Sequence, residues 1–180
     1  MKRYLIADTH FGHANVIGYT GRPFRDVSHM DLSLIWNWNE TVQNEDLVYV
    51  LGDFTLSRRT DIISHLLQRL NGRKILVMGN HDTRKPRDYI AAGFEVALRK
   101  PIMIEPGVIL MHEPFEDLSL ICPNYIYFFG HVHEKHCPMD DYENCRCVSV
   151  ERIDYRPIEF DQALSEMKKK LRRASPKKKF

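Results

Sequence analysis

The segment LVYVLGDFTLSRRTDIISHLLQRLNGRKILVMGNHD, residues 47–82, decides the fold because it holds two strands and the helix that joins them. The apolar runs at 47–51 and 75–78 are short and aliphatic, which is typical of buried strands. Between them, residues 61–70 repeat apolar side chains at helical spacing, and Asn-Gly at 71–72 supplies a stop signal. A strand-helix-strand unit of this kind predicts neighbouring parallel strands.

Another strand and a longer helix are predicted before this unit. The apolar run at 4–7 predicts a further strand of the same sheet. Residues 27–43 predict a helix with Ser28 as its N-cap, and its apolar stripe is expected to bury Trp36 in the core. Asn39 lies in the same stripe, so we expect its side chain to hydrogen-bond a loop.

After Gly93 the pattern changes to short strands with few helices between them. Strands are predicted at residues 94–98, 102–104, 108–111, 125–129 and 147–150. This run predicts a second, more antiparallel sheet that packs on the first. Residues 161–172 then predict a closing helix, whose inward side chains are Ala163, Leu164, Met167 and Leu171.

The composition is that of one globular domain. The chain has 180 residues, of which 43% are hydrophobic and 28% charged, and this excludes wholesale disorder and a disulfide-packed miniprotein. No apolar stretch approaches the ~18 residues needed to cross a bilayer, and the apolar run at 4–7 is too short for a signal peptide. We therefore expect a cytoplasmic protein that does not contact membranes.

The last residues of the chain differ from the rest in charge. Eight of the 26 Lys and Arg residues lie at 168–180, where there is no acid, so the remaining chain has 18 basic and 24 acidic residues. We expect a domain at 1–167 and a basic tail at 168–180. A solvated terminus is the simpler interpretation of the tail, and weak contact with nucleic-acid phosphates is the alternative.

Four cysteines cluster in the last third of the chain, at positions 122, 137, 145 and 147. Their spacing matches no standard zinc pattern, so we expect free thiols rather than a structural zinc or a disulfide.

The chemically active side chains follow the predicted strands. The groups at the strand ends are Asp8-Thr9-His10, Gly52-Asp53, Gly79-Asn80-His81-Asp82, His112 and Gly130-His131-Val132-His133. Ligands of α/β sheets gather beyond the carboxyl ends of the strands, so these groups are expected to converge. The glycines before three of them are expected to let the backbone turn tightly.

Asp and His together with Asn suit Mn(II), Fe, Zn or Ni better than Ca(II) or a thiolate-bound metal. The side chains are too many for one ion, whereas two divalent transition-metal ions, manganese being expected first, would account for them. Asp53 stands alone at a central strand end and is the natural bridge between the ions.

The order of these motifs resembles that of the calcineurin-like metallophosphoesterase superfamily, over most of the chain. The resemblance implies a four-layer αββα sandwich, an α/β fold with two facing mixed sheets flanked by helices. It implies one metal on Asp8, His10, Asp53 and His133, and another on Asp53, Asn80, His112 and His131. By the same resemblance His81 is the catalytic histidine and Asp82 its orienting partner. Related small phosphoesterases often have Asn where this chain has Cys147, so a hydrogen bond made by that Asn is in question.

These features indicate hydrolysis of a phosphoric ester. A water held between the two ions would lose its proton near neutral pH and attack phosphorus in line, while His81 protonates the leaving group. A phosphodiester is favoured over a monoester because no lid domain fits into the chain. A nuclease acting on single-stranded or cyclic nucleotide substrates and a non-catalytic metal-binding scaffold are the alternatives.

Substrate contacts are predicted on the loop after the first strand. His13 lies three residues beyond His10, and Arg22 and Arg25 are candidates for gripping a phosphoryl oxygen. Surface salt bridges are the competing explanation for the two arginines.

Overall fold

A computed structural model describes residues 1–174 as nine strands in two mixed sheets with five α-helices. In chain order the elements are β1 (Arg3–Ile6), α1 (Ala14–Thr20), α2 (Val27–Thr41), β2 (Leu47–Val50), α3 (Thr60–Gln68), β3 (Arg73–Val77), α4 (Pro86–Ala92), β4 (Val96–Leu98), β5 (Ile102–Glu105), β6 (Val108–Leu110), β7 (Ile126–Phe129), β8 (Cys145–Cys147), β9 (Ile158–Glu159) and α5 (Phe160–Ala174). Short 3₁₀ turns lie at Leu118–Leu120, Pro138–Asp141 and Val150–Arg152.

The first sheet has the strand order β4-β3-β2-β1-β9. Its strands β1 to β4 are parallel, because α-helices carry the chain back between them, and β9 adds to β1 in the antiparallel direction. The parallel strands predicted for the first 80 residues are confirmed. The two-residue strand β9 was not predicted, since Ile158–Glu159 is too short for its alternation to be recognised.

The second sheet differs from the prediction. Its order is β5-β6-β7-β8, and only β5 and β6 are antiparallel, while β6, β7 and β8 run parallel. The predicted strand at 94–98 is present as β4, but it pairs with β3 in the first sheet. The helix α4 before it returns the chain to the edge of that sheet, and this seven-residue helix was not predicted.

The two sheets share one apolar core. Phe54 and Phe160 beside the first sheet and Phe128 of the second sheet are fully buried in one cluster. The predicted fold, two mixed sheets flanked by helices, is confirmed. A smaller cluster behind the second sheet contains Cys137, Cys145 and Cys147, and all four cysteines are free thiols in the structure.

Helix α2 corrects two predictions. Its N-cap is Asp26, whose carboxylate accepts from the backbone N–H of His29, so Ser28 is not the cap. Trp36 is 66% exposed, whereas Trp38 is completely buried and its indole N–H donates to the carbonyl of Asn71. Both tryptophans fit a helical stripe, and the sequence does not show which of them faces the turn after α3.

The side chain of Asn39 bridges this same turn, as predicted. Its amide donates to the carbonyl of Arg69 at 2.8 Å, and its oxygen accepts from the backbone N–H of Asn71 at 2.8 Å. The polar residue in the apolar stripe therefore satisfies two backbone groups where α3 ends.

The closing helix α5 buries Ala163, Leu164 and Met167, as predicted, and continues to residue 174. The predicted boundary between domain and tail falls inside this helix, so residues 168–173 form its last turns, while residues 175–180 lie outside the described part of the chain. Within residues 1–174, no helix combines the length and the apolar character needed to cross a membrane.

Candidate metal centre

All seven predicted ligand residues come together at one edge of the molecule. Ligand atoms of Asp8, His10 and His133 form one group and those of Asp53, His112 and His131 another, and within each group all lie within 4.8 Å of one another. The amide oxygen of Asn80 joins the second group at 3.1 Å from His112 Nε2 and 3.1 Å from His131 Nδ1. The residues come from loops of both sheets, which places the site where the two sheets meet.

Asp53 lies between the two groups. Its Oδ2 atom is 3.5 Å from His10 Nε2 on one side and 3.5 Å from His112 Nε2 on the other. Its Oδ1 accepts from the backbone N–H of His81 at 2.9 Å, which holds the carboxylate in this orientation. A carboxylate in this position faces both groups of ligand atoms.

The ligand atoms fit cations because nitrogen and oxygen atoms of several side chains converge on the same small space. The Nδ1 atom of His112 is 2.8 Å from the carbonyl oxygen of Leu51, so Nδ1 carries a hydrogen and Nε2 turns toward Asn80 and Asp53. Neither ring nitrogen of His10 has a hydrogen-bond partner, although both are buried. A neutral imidazole has one acceptor nitrogen, which is costly to bury without a partner, and a divalent cation would satisfy it.

Burial and charge set the protonation of these groups. Burial alone would raise the pKa of Asp53, but the hydrogen bond and charge of His112 lower it to about 2. Burial lowers the pKa of His10 to about 3, so its ring is neutral. An anionic carboxylate and a neutral imidazole are the forms that bind metal ions.

The backbone at the site is in an unusual conformation. Five of the seven ligand residues have positive φ angles, between 50° and 74°: Asp8, His10, Asp53, His131 and His133. Asp and His adopt this region more readily than most residues, but it still costs roughly 1–3 kcal/mol each. Backbone hydrogen bonds from Asp8 to Gly52 and from His10 to Asp53 hold the loops in place.

The glycines before the ligands have two different roles. Gly52 has a φ of +84°, so it makes the turn that was predicted. Gly79 has no positive φ, but a Cβ atom there would collide with the Asp53 carboxylate and the His112 ring. Residue 79 therefore has to be glycine, because the ligands pack against its backbone and leave no room for a side chain.

Asp82 does not orient the ring of His81, contrary to the prediction. Its buried carboxylate accepts from the backbone N–H groups of Asp53 at 2.8 Å, Gly79 at 2.9 Å and Phe54 at 3.3 Å. Burial raises the pKa of Asp82 to about 6, while the bond from Gly79 acts in the opposite direction. Asp82 thus ties together the two loops that carry Asp53 and Asn80.

Arg22 is also placed differently from the prediction. Its side chain is buried, pairs with Glu151 Oε1 at 2.7 Å and donates to the carbonyl oxygens of Asp8 and Thr9. A guanidinium in these contacts has no exposed surface for substrate. Arg22 instead fixes the backbone of the first ligand loop. Its partner Glu151 lies 129 residues away, so the sequence does not indicate that the two side chains pair.

Glu151 and Ser149 support the ligands and were not predicted. Glu151 Oε1 lies 2.9 Å from Nδ1 of His133, so His133 donates its Nδ1 hydrogen and keeps Nε2 for a cation. The Ser149 hydroxyl donates to Asp8 Oδ2 at 2.6 Å and lies 3.1 Å from Cys147 Sγ. Both follow β8, which ends at Cys147 rather than at residue 150 as predicted. Applying the strand-end rule at that boundary would have found them.

The remaining predicted residues are His81, His13 and Arg25. His81 is 47% exposed, and its ring lies edge-on to that of His10 with centroids 5.4 Å apart. The ring of His13 is also 5.4 Å from that of His10, and both rings line the same cavity as His81. Arg25 is exposed and pairs with Asp26, so its role in substrate binding stays a prediction.

Comparison with known proteins finds a matching family model and similar sequences. A family model described as the calcineurin-like phosphoesterase superfamily domain matches residues 1–150. The chain is 37% identical over 169 residues to the uncharacterized protein MJ1445 of Methanocaldococcus jannaschii, covering 89% of this chain and 88% of that protein. It is 38% identical over 86 residues to the Gene 66 protein of Mycobacterium phage D29, covering 46% of this chain and 41% of that protein.

A solved structure has a similar fold. The protein of unknown function AQ665 from Aquifex aeolicus superposes with a TM-score of 0.72 and 28% sequence identity, covering 92% of this chain and 98% of that chain.

The contact between Glu151 and His133 predicts a loss of metal affinity in Glu151→Gln. The amide weakens the acceptor for His133 and removes the charge that pairs with Arg22, so Mn²⁺ affinity should fall by about 10–100-fold. Isothermal titration of metal-stripped protein measures this, with circular dichroism as a check of folding. Glu134→Gln, the same change at an exposed residue beside His133, serves as control. Equal affinities of Glu151→Gln and the unchanged protein would contradict the role of Glu151.

The pKa of His112 predicts that metal affinity rises with pH. Burial would lower this pKa, but the hydrogen bond and charge of Asp53 and the charge of Asp8 raise it to about 9. Below pH 9 a cation therefore has to displace a proton from Nε2, and affinity should increase with pH by up to about tenfold per unit. Titrations at pH 6.5, 7.5 and 8.5 in buffers of different ionisation enthalpy measure the affinity and the released proton. Metal binding that releases no proton and has the same affinity at all three pH values would contradict this protonation state.

Proposed function

The chain belongs to the calcineurin-like phosphoesterase superfamily, and we propose that within it this protein hydrolyses phosphodiesters with two divalent transition-metal ions. The family and the Asp/His centre support a metal-dependent phosphoesterase in general. The preference for diesters and the number of ions are the parts that we propose. Manganese as the metal, a cytoplasmic location and weak contact of nucleic acid with the basic tail stay predictions.

Two cavities beside the ligands support a diester. The first, here called the Asn80 cavity, has a volume of about 700 Å³ and is lined by Asn80 and His112 together with Arg99 and Phe115. The second, the Tyr19 cavity, has a volume of about 590 Å³ and is lined by His10, His131 and His133 together with Tyr19. Each is large enough for an organic substituent. A phosphorus atom held at the ligands would therefore have room for an ester group on each side.

The residues of this chain would divide the work of hydrolysis between them. Ions held by Asp8, His10, Asp53 and His133 and by Asp53, Asn80, His112 and His131 would supply Lewis acidity that activates water and neutralises phosphoryl oxygens. The water forms a new O–P bond, and the P–O bond to the leaving alcohol breaks. In the overall balance, one of the two protons of the water ends on that alcohol. The products are an alcohol and a phosphate monoester.

In this proposal His81 supplies the proton to the leaving alcohol. Its backbone is anchored on Asp53, while its ring is exposed and its Nε2 atom is 4.0 Å from Asp53 Oδ2, beyond hydrogen-bond distance. The ring is therefore available to a substrate. A scaffold that only binds metal would not need this histidine beside the ligands.

A substrate panel tests the proposal. Metal-stripped protein should hydrolyse bis(p-nitrophenyl) phosphate after Mn²⁺ is added, with a kcat/KM at least about tenfold above that for p-nitrophenyl phosphate, because the monoester fills only one cavity. EDTA should abolish the activity, and Asp53→Asn should lose it while keeping its circular dichroism spectrum. A preference for the monoester would overturn the diester assignment, and turnover without metal would overturn the whole proposal.

His81→Ala should lower kcat by roughly 10²-fold while metal affinity is unchanged. The loss should be larger for methyl phenyl phosphate than for methyl p-nitrophenyl phosphate, because phenolate is the poorer leaving group and needs the proton more. His65→Ala, the same change at an exposed residue of α3, is the control and should behave as the unchanged protein. Unchanged turnover of the phenyl ester by His81→Ala would remove the role of His81.

A further inference from the structure

We infer that the Tyr19 cavity holds the alcohol that leaves, and that this alcohol is a nucleoside whose base packs on Tyr19. This inference rests on the proposed phosphodiesterase function and adds the class of substrate and the direction of cleavage. Three observations carry it: the position of His81, the exposed ring of Tyr19, and the charge of the cavity walls.

The position of His81 distinguishes the two cavities. His81 lines the Tyr19 cavity, whereas the Asn80 cavity is lined by its neighbours Asn80 and Asp82. The group that gives a proton to the leaving oxygen has to lie within hydrogen-bond reach of that oxygen. The ester group in the Tyr19 cavity is therefore the one that leaves, and the group in the Asn80 cavity stays on the phosphate monoester.

The walls of the Tyr19 cavity offer an aromatic and apolar surface. Tyr19 is at the end of α1 and is 71% exposed, and its ring meets that of His13 edge-on with centroids 6.3 Å apart. Val16 and Val132 line the same cavity. A planar ring on this surface would stack on Tyr19 and remove its own apolar face from water. Every nucleobase has a flat face that can stack in this way.

Fixed charge differs between the two cavities. Among the described residues, the lining of the Tyr19 cavity includes Lys135 and no acidic side chain. The Asn80 cavity has Glu113 and Glu116 beside Arg99 and Lys100, so its charges are balanced. The Tyr19 cavity therefore combines an aromatic wall with one basic side chain and no acidic one. A nucleoside fits this combination, because its flat base can stack on Tyr19 and the phosphate that it carries is anionic.

The cleavage step follows from this placement. Water forms an O–P bond, the P–O bond to the nucleoside breaks, and the nucleoside oxygen takes the proton from His81. The ring of His81 then regains a proton from solvent. For a diester with a nucleoside on one side and methyl on the other, the products are free nucleoside and methyl phosphate rather than nucleotide and methanol.

Thymidine 5′-(methyl phosphate) and its abasic analogue, which has hydrogen in place of the base, test the inference on the Mn²⁺-loaded full chain. Chromatography should show thymidine and methyl phosphate as products, and kcat/KM should be about tenfold higher with the base than without it. Tyr19→Ala should remove this difference, and Tyr19→Phe should keep it. Tyr142→Ala, which removes a similar exposed ring outside the cavity, should have no effect.

Both compounds are also measured as inhibitors of bis(p-nitrophenyl) phosphate hydrolysis, so that slow turnover does not hide binding. Thymidine 5′-phosphate and methanol as products would overturn the direction of cleavage. Equal kcat/KM and equal inhibition with and without the base, or an equal loss on both compounds in Tyr19→Ala, would overturn the nucleoside site. Failure of the unchanged protein to hydrolyse bis(p-nitrophenyl) phosphate would instead count against the proposed function.

Discussion

The position of the Asp53 carboxylate is the constraint on which the rest of the site depends. One oxygen faces His10 and His112 at 3.5 Å each, and the other accepts from the backbone of His81. Asp53 is also held by Asp82, whose carboxylate accepts from the backbone N–H of Asp53. Any movement of this loop would shift both groups of ligands and His81 together. The separate strand ends therefore act as one unit because they meet at a single carboxylate.

The site is held in a costly conformation, and the surrounding structure compensates for it. Five ligand residues have left-handed backbone angles, and the buried ring nitrogens of His10 have no hydrogen-bond partner. Buried contacts outside the ligand set oppose this cost: Arg22 binds two carbonyls of the first loop and Glu151, and Ser149 binds Asp8. Cations would relieve the remaining cost. Metal binding and stability of the folded chain are thus expected to be coupled.

Strand ends and ligand types could be predicted from the sequence because both depend on local features. Short apolar runs end at Asp8, Asp53 and Asn80, and each run became a strand of the first sheet. What could not be predicted depends on contacts between distant segments. Arg22 was interpreted as a substrate contact because its partner lies 129 residues away, and Asp82 was paired with its neighbour His81 because its real partners are backbone groups. Trp36 and Trp38 share helical spacing, and only the packing of α2 on the turn after α3 distinguishes them.

The late position of Ser149 and Glu151 in the chain has a consequence for biosynthesis. The first sheet contributes Asp8, His10, Asp53 and Asn80, yet Asp8 lacks its hydroxyl donor and His133 lacks its carboxylate until residues 149 and 151 have left the ribosome. A nascent chain that has exposed only its first half therefore presents carboxylates and imidazoles that are not yet oriented. The complete coordination geometry becomes available only after residue 151 has emerged, when both sheets can dock.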